Sequence, residues 1–412
     1  MPRKSAAATA VLDAPAPTLL IRTGFMIDRA RFSEAIGMAQ RAVPPRPTHP
    51  VLGNILVEFS EQDQRIFLTT FDLTIGYRLT LPAEVYQSGA ITLPSKLLGD
   101  LVGKLPGASV EMLIDPETFG ATLSSQQSRY QIQGMSAEEF TTLPEPSGEA
   151  VAVNLSSAAV KAAFGSMLYA VSRDETKQIL TGAHITIGQD GDGVPLSLEA
   201  AATDGHRLGL ARISLEEDQD DMTDSLSATL VGRGCFEIDR ILSVTTVPMI
   251  TLTLDDRSKT AYCAWNDNLL VMRTLAGQYP AYNQLIPQQF NRDVVVDRKT
   301  LLGALDRISI IADQKSNHII KLVVDSDPDQ QQLVISADAQ DAGMGTEMIG
   351  NVNIVGTRIE IGFNVKYLME SLKAIPTTEI KIRSNTPTSP VVIEPLGGIS
   401  ATHLVMPVQV RS

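Results

Sequence analysis

Asp204 and His206 stand two residues apart in Thr203-Asp204-Gly205-His206-Arg207-Leu208, and a carboxylate beside an imidazole is a pairing used in general acid–base chemistry. A catalytic reading also needs a nucleophile or ligand set nearby, and the surrounding sequence supplies neither. A structural reading needs less. Before the stretch, Val194, Leu196, Leu198, Ala200 and Ala202 alternate with less constrained positions, and after it Leu208, Leu210 and Ile213 suggest a return strand. Asp-Gly supplies the positive φ angles of a tight two-residue hairpin turn. The pattern predicts strand, turn, strand, with the acid–base pair as the competing reading.

Other recognisable chemistry is missing. No Gly-rich loop ending in Lys-Ser/Thr is present, which argues against nucleotide hydrolysis, and no Gly-x-Ser-x-Gly elbow occurs. His49, His184, His206, His318 and His403 show no metal-ligand spacing with cysteines or carboxylates. Asp190-Gly191-Asp192-Gly193 has the start of a calcium loop, but Val194 and Pro195 break the pattern and leave a turn. Cys235 and Cys263 lack Cys-x-x-Cys spacing and read as reduced, buried thiols of a cytoplasmic protein. The expectation is a binding protein with no cofactor and no enzymatic activity.

The 412 residues, 43% hydrophobic and 20% charged, are too many for one ordinary core and suggest about three domains. No apolar run approaches the ~18 residues that span a membrane. Residues 1–18, rich in Ala, Pro and Thr, read as a disordered leader.

One plan recurs about every 130 residues, a period read directly from the chain. Each copy opens with an apolar strand and an amphipathic helix. These are Leu19-Leu20-Ile21 before 28–43, Val151-Ala152-Val153 before 156–172, and Val294-Val295-Val296 before 298–312. In the second, Val160, Phe164, Met167, Leu168 and Val171 share one helical face. A second strand–helix unit follows midway, at Ile91-Thr92-Leu93, Thr229-Leu230-Val231 and Ile359-Glu360-Ile361, with Pro106 and Pro376 stopping two of those helices. Between the helices of each copy, a hairpin strand ends on an aspartate: Asp72, Asp204 and Asp338. Pro-rich joints at Leu143-Pro144-Glu145-Pro146 and Tyr279-Pro280-Ala281-Tyr282 separate the copies. The predicted organisation is the leader 1–18 and three similar α+β domains, 19–148, 149–290 and 291–412, each with two helices packed on antiparallel sheets.

The net charge of −13 argues against a protein wrapped in basic surface. Its distribution is uneven. The segments 28–43, 95–105, 156–172, 233–244, 298–312 and 365–374 hold thirteen Lys or Arg against seven Asp or Glu, a surplus of +6, which leaves −19 for the remainder. Acid gathers in Glu216-Glu217-Asp218 and Asp220-Asp221. Helices tolerate Lys and Arg better than Asp, which is one explanation. The other is a shared basic face of all six helices that attracts phosphate without reading sequence.

From about residue 19 to 410 the chain resembles the bacterial DNA polymerase III β subunit, the DNA sliding clamp family. The resemblance rests on Arg46-Pro47-Thr48-His49-Pro50-Val51-Leu52-Gly53-Asn54, Ala202 to Leu208, Tyr279-Pro280-Ala281-Tyr282, Ile361-Gly362-Phe363-Asn364-Val365 and Val405-Met406-Pro407. It implies a head-to-tail homodimer closed into a ring, helices lining the hole and sheets forming the rim, with double-stranded DNA held topologically. It also implies a clamp loader and the replicative polymerase α subunit as partners, together with other polymerases and repair factors that insert short clamp-binding peptides. No membrane partner is expected. Carried over by motif, the peptide pocket takes Leu180, Thr203, Gly205, His206, Arg207 and Leu208 from the second domain and Pro280, Gln284 and Leu285 from the joint. The third domain adds Asn364, Tyr367, Leu404, Val405, Met406, Pro407 and Val408. Arg46 matches a family position at the DNA-facing rim, Lys96 and Arg233 at the starts of inner helices are expected as weak phosphate contacts, and Tyr130, Ile310 and Ile311 are the implied dimer contacts.

Three departures bear on these expectations. Gln284 stands where the family commonly has a basic residue, Gln409-Val410-Arg411-Ser412 runs on past the Met-Pro, and the leader has no family counterpart. A clamp paralogue with a specialised role, such as resistance to a clamp-binding inhibitor, would share both ring and pocket.

Overall fold

Strand–helix units repeat three times in the computed structural model, which describes residues 22–188, 196–215, 225–314, 318–327, 331–339 and 343–409. The leader, the Leu19-Leu20-Ile21 strand, the Asp190–Gly193 turn, Val194, the acidic runs at 216–221 and residues 410–412 lie outside the described residues. The first copy comprises β1 (Gly24–Asp28), α1 (Arg29–Ala39), β2 (Asn54–Ser60), β3 (Arg65–Phe71), β4 (Ile75–Pro82), β5 (Glu84–Gln87), β6 (Gly89–Pro94), α2 (Ser95–Lys104), β7 (Ser109–Asp115), β8 (Gly120–Ser125) and β9 (Ser128–Gln133). The second comprises β10 (Val151–Ser156), α3 (Ser157–Met167), β11 (Gly182–Gly188), β12 (Ser197–Thr203), β13 (Arg207–Ser214), β14 (Leu226–Val231), α4 (Gly232–Val244), β15 (Met249–Asp255), β16 (Thr260–Trp265) and β17 (Asn268–Arg273). The third comprises β18 (Arg292–Asp297), α5 (Arg298–Ala312), β19 (Ile319–Asp325), β20 (Gln332–Asp338), β21 (Met344–Ile349), β22 (Asn353–Val355), β23 (Ile359–Asn364), α6 (Val365–Lys373), β24 (Glu379–Ser384), β25 (Val391–Pro395) and β26 (Ser400–Val405).

Local chemistry accounts for the helix starts. Asp28 accepts from the Arg31 amide at 2.9 Å and Asp297 from the Thr300 amide at 2.7 Å, capping α1 and α5 at equivalent places. Asn364 does the same for α6 through the amides of Lys366 and Tyr367. In α3, Val160, Ala163, Phe164 and Met167 are buried, mostly against β12 and β13. Burying each of the larger ones is worth about 1.5–3 kcal/mol. Gly209 permits this close fit, since a Cβ there would stand 2.7 Å from the Met167 Cα and the Ser166 carbonyl oxygen.

Strands of the first copy form the orders β5-β1-β7-β8-β9 and β4-β3-β2-β6. The second contributes β10-β15-β16-β17 and the third β21-β20-β19-β23. A nine-stranded sheet, β14-β11-β12-β13-β26-β25-β24-β18-β22, spans the second and third copies. The second and third copies therefore make one compact unit, and nearly all of the first copy makes the other. One holds residues 22–72 and 77–142, the other residues 73–76 and 143–409, within the described part. The cause is the antiparallel ladder between β13 and β26, in register from Arg207↔Val405 to Arg212↔Ser400.

Each copy closes one strand edge in the same way. β6, β14 and β23 are each met by a single antiparallel bridge from a later segment: Met135 on Thr92, Thr274 on Leu230 and Val408 on Gly362. Residues past Met406 thus occupy, in the third copy, the place that segments leading onward occupy in the first two.

His403 is fully buried in β26 beside β13. The Tyr169 hydroxyl lies 3.1 Å from both the Leu208 carbonyl oxygen and His403 Nδ1. A hydroxyl has one proton to give, so with that proton on the carbonyl, Nδ1–H is the donor to Tyr169 and Nε2 is left bare. Burial pushes the imidazole down to about 3, well below its ordinary 6.5. A depressed histidine leaves stability intact above 6.5 and removes it as pH falls toward 3, because the unfolded chain then binds the extra proton. Between pH 6 and 4.5 the urea unfolding free energy of the native protein should fall more steeply than that of His403→Phe, by up to ~1.4 kcal/mol per pH unit. Parallel slopes would disprove this role.

Candidate functional site

The stretch from Thr203 to Leu208 links β12 to β13, with Thr203 paired to Leu208. It is a wider turn than the two-residue one expected. Gly205 alone in it has positive φ, at 90°. The Asp204 side chain does the remaining work: Oδ1 accepts from the amides of His206 (2.8 Å) and Arg207 (3.1 Å), and Oδ2 from Arg207 Nε (3.1 Å). Thr203 Oγ1 donates to the Arg207 carbonyl at 2.6 Å and accepts from the Gly205 amide at 3.1 Å. Asp204 is thus a turn-forming acceptor, and nothing in the geometry couples it to the His206 ring as an acid–base pair.

Arg207 ties the turn to the third copy. Its side chain is only 9% exposed, and its guanidinium is bonded to Asp204 and to Glu370 of α6. It lies 4.8 Å from the centre of the Tyr367 ring and 5.3 Å from that of Tyr169. A buried cation needs this full complement of partners, because removing one would strand a charge at a cost of about 3–5 kcal/mol. The His206 ring stacks on Tyr367 at 5.7 Å and 16°. These residues line a cleft of about 390 Å³ with Arg173, Lys177 and Lys366.

Beside the cleft lies an apolar cluster. Ala201, Leu208, Tyr279, Tyr282, Val392 and Leu404 are buried together, with Leu180, Ile286 and Met406 half-buried against them. The joint is pinned by its two tyrosines. The Thr203 amide donates to Tyr279 Oη at 3.0 Å, and Tyr282 donates to Glu199 at 2.5 Å. The Met406 amide donates to the His206 carbonyl at 2.8 Å, seating the end of the chain beside the turn.

The structure thus gathers Leu180, Thr203, His206, Arg207, Leu208, Tyr367, Leu404 and Met406 around one joint. Gly205, Pro280, Gln284 and Leu285 are exposed beside it. Others point elsewhere. Val405, next to Leu404 on an alternating strand, is fully buried in the core of the third copy, and the Asn364 amide oxygen is used up as a helix cap. Pro407 leads to Val408, whose amide donates to Gly362 at 2.9 Å beside a separate cavity of about 430 Å³. Tyr169, Glu370, Tyr279 and Tyr282 were missed as site residues. The two joint tyrosines stood in the Tyr279-Pro280-Ala281-Tyr282 motif, whereas Tyr169 and Glu370 carried no signal.

Among the cations, Arg46, Lys96 and Arg233 are exposed. Two helix arginines are partly engaged within their own copy: Arg29 Nε donates to the Gly107 carbonyl at 3.0 Å and Arg298 Nε to that of Thr377 at 2.7 Å. Arg307 forms a two-pronged pair with Glu347 at 2.9 and 2.7 Å. Of the predicted dimer residues, Tyr130 is 45% exposed on the edge strand β9 and Ile310 is 64% exposed on α5, whereas Ile311 packs against the core of the third copy. Met344 and Met348, 80% and 69% exposed on the edge strand β21, were not foreseen. Cys235 and Cys263 are buried free thiols, each pushed up to about 12 by burial. Among the described residues no cluster of three or more His, Cys, Asp or Glu could hold a metal ion, and no helix is long and apolar enough to cross a membrane.

Comparison with known proteins agrees with this architecture. Family models for the N-terminal, central and C-terminal domains of the DNA polymerase III beta subunit match residues 23–144, 154–281 and 283–409. The beta sliding clamp of Synechococcus elongatus is 43% identical over 378 residues, 92% of this chain and 97% of the relative. That of Synechocystis sp. is 40% identical over 392 residues, 92% and 97% of the two chains. The crystal structure of the Bacillus subtilis DNA polymerase sliding clamp superposes with a TM-score of 0.85 at 26% identity, covering 95% of this chain and all of that one. The Thermotoga maritima DNA polymerase III beta subunit gives 0.83 at 25%, covering 94% of this chain and all of that one. With three ordered matches spanning nearly all of the described fold, the chain belongs to the DNA polymerase III beta subunit family.

Proposed function

We infer that the protein is a DNA sliding clamp, an accessory subunit that tethers a replicative polymerase to duplex DNA and has no catalytic site of its own. The observation that carries this reading is the ordered match of all three beta-subunit domains, together with a 43% identical beta sliding clamp aligned over nearly its whole length. A specialised paralogue is not favoured by any feature of the chain. We place the domain limits at 19–148, 149–290 and 291–412.

Two protomers join head to tail into a ring in this proposal. β9 of one protomer adds to β21 of the other, and a five-stranded and a four-stranded sheet so joined make a sheet of nine, the size of the one that spans the second and third copies. Tyr130, Ile310, Met344 and Met348 supply the apolar contact. Met344→Glu with Met348→Glu should convert the dimer to monomer in sedimentation velocity with the far-ultraviolet dichroism unchanged. A dimer that survives would exclude this edge.

Exposed helix cations such as Arg31, Lys96, Lys104, Lys161, Arg233 and Lys299 supply weak, screened phosphate contacts, suited to sliding on DNA. Loading onto nicked circular DNA should give a complex that is lost when the circle is linearised. Equal retention on circular and linear duplex would rule out topological holding. Replacing several of these cations together should slow loading more than any single change.

The joint of the second and third copies is the proposed docking pocket for clamp-binding peptides from polymerases, the clamp loader and repair factors. Leu180 and Met406, half-buried over Leu208 and Leu404, offer the apolar surface for aliphatic and aromatic side chains, and the fixed polar turn orients the peptide backbone. Gln284 offers amide hydrogen bonds where a cation is common, favouring neutral over acidic peptide side chains there. Met406→Ala should weaken binding of a clamp-motif peptide about tenfold without dissociating the dimer, read by fluorescence polarisation. Unchanged affinity would remove Met406 from the pocket.

A further inference from the structure

A groove of about 810 Å³ lies where the two sheets of the second copy part, sharing Tyr279 with the joint but none of the 203–208 turn or of β26. β14 lends Leu226, Ser227 and Ala228 to its wall, Val151 at the start of β10 also lines it, and the segment from Thr274 to Tyr279 borders it. β14 is a terminal strand, laddered along its length with β11 and met on its other edge by a single bridge, Thr274 on Leu230. Its open edge is identified by the Thr229 carbonyl, which accepts from the Leu275 amide at 2.8 Å on the side away from β11. Backbone groups alternate sides along a strand, so the N–H and C=O of Ser227 point the same way, into the groove. Among the described residues they have no main-chain partner. The wall is also held firm. Hydroxyls of Ser227 and Thr229 lie 3.2 and 3.1 Å from the two ring nitrogens of His184, and that ring stacks on Tyr279 at 5.1 Å and 12°.

The groove is acidic. Glu149, Asp255 and Asp256 line it against Lys259, whose ammonium is already bonded to Asp256. The Asp255 carboxylate is held by the amides of Ser147, Arg257 and Ser258 and stays charged. An open strand edge gives affinity to main-chain amides, and alternate side chains then meet the walls.

We propose that this groove binds an extended peptide segment with basic side chains, added as an antiparallel strand to β14 through the N–H and C=O of Ser227. The occupant is complementary in charge to Glu149, Asp255 and Asp256, which distinguishes it from the segments taken by the apolar docking pocket.

The test titrates the full-length protein with a fluorescein-labelled, acetylated and amidated seven-residue peptide of alternating valine and lysine. Saturable binding is expected, weakened at least tenfold by Ser227→Pro and less than threefold by Ser227→Ala. A proline at an edge position removes the outward N–H and spares the ladder to β11. Glu149→Gln with Asp256→Asn should also weaken it at least fivefold, and Met406→Ala should leave it unchanged. Amide exchange at Ser227 should slow in the complex, a readout that holds even if the proline variant folds poorly. No saturable binding, equal binding of a valine–glutamate peptide, an unprotected Ser227 amide, or loss of binding on Met406→Ala would each overturn the proposal.

Discussion

The ladder between β13 and β26 is the constraint on which the rest depends. It joins residues almost two hundred positions apart in sequence, and it converts two repeats into one continuous sheet. Everything at the joint follows from it. Leu404 reaches the apolar cluster of the second copy because β26 lies beside β13. The Met406 amide finds the His206 carbonyl because the ladder ends one residue earlier, at Arg207↔Val405. Glu370 meets Arg207 because α6 is carried in by the same sheet.

The joint combines two kinds of interaction with different jobs. Apolar contact among Leu208, Tyr279, Tyr282, Val392 and Leu404 supplies most of the favourable free energy, in proportion to area removed from water. The Arg207 pairs with Asp204 and Glu370 contribute less net stability, since desolvation offsets much of the attraction. They fix geometry instead, holding the turn and α6 in one relation so that the cleft between them has a defined shape. His403 extends the same logic. A neutral imidazole with one bare nitrogen is tolerated at the seam, and a charged one is not.

The helices were legible because they depend on local chemistry. A 3.6-residue period is written within a dozen residues, as in α5, whose limits agree with the sequence reading, and a proline follows closely on the last turn of α2 and of α6. Recurrence of the plan was legible for the same reason. Strand partners were not, since a period of two says which face is buried and nothing about the neighbour. The alternation of β12 was itself misleading: six of its seven residues are buried because α3 and the joint cover both faces. The turn was misjudged because the Asp204 carboxylate replaces a second positive φ, a substitution invisible in the dipeptide Asp-Gly. Charge counting treated every helix cation alike, whereas Arg29 and Arg298 each donate to a loop carbonyl of their own copy. The proposed pocket residues rest on resemblance alone, because they come from three separate stretches with no common period.

The exposed edge of β21 carries a further consequence. A terminal strand with Met344 and Met348 open to solvent combines unpaired backbone groups with apolar side chains, which is the arrangement that templates indiscriminate strand addition. β9, with Tyr130, is a second such strand. A chain with two sticky edges has two fates, closure on a partner or growth into filaments. In the proposed ring, pairing these edges with each other would also take both away from solvent, and dilution to protomers would expose them again.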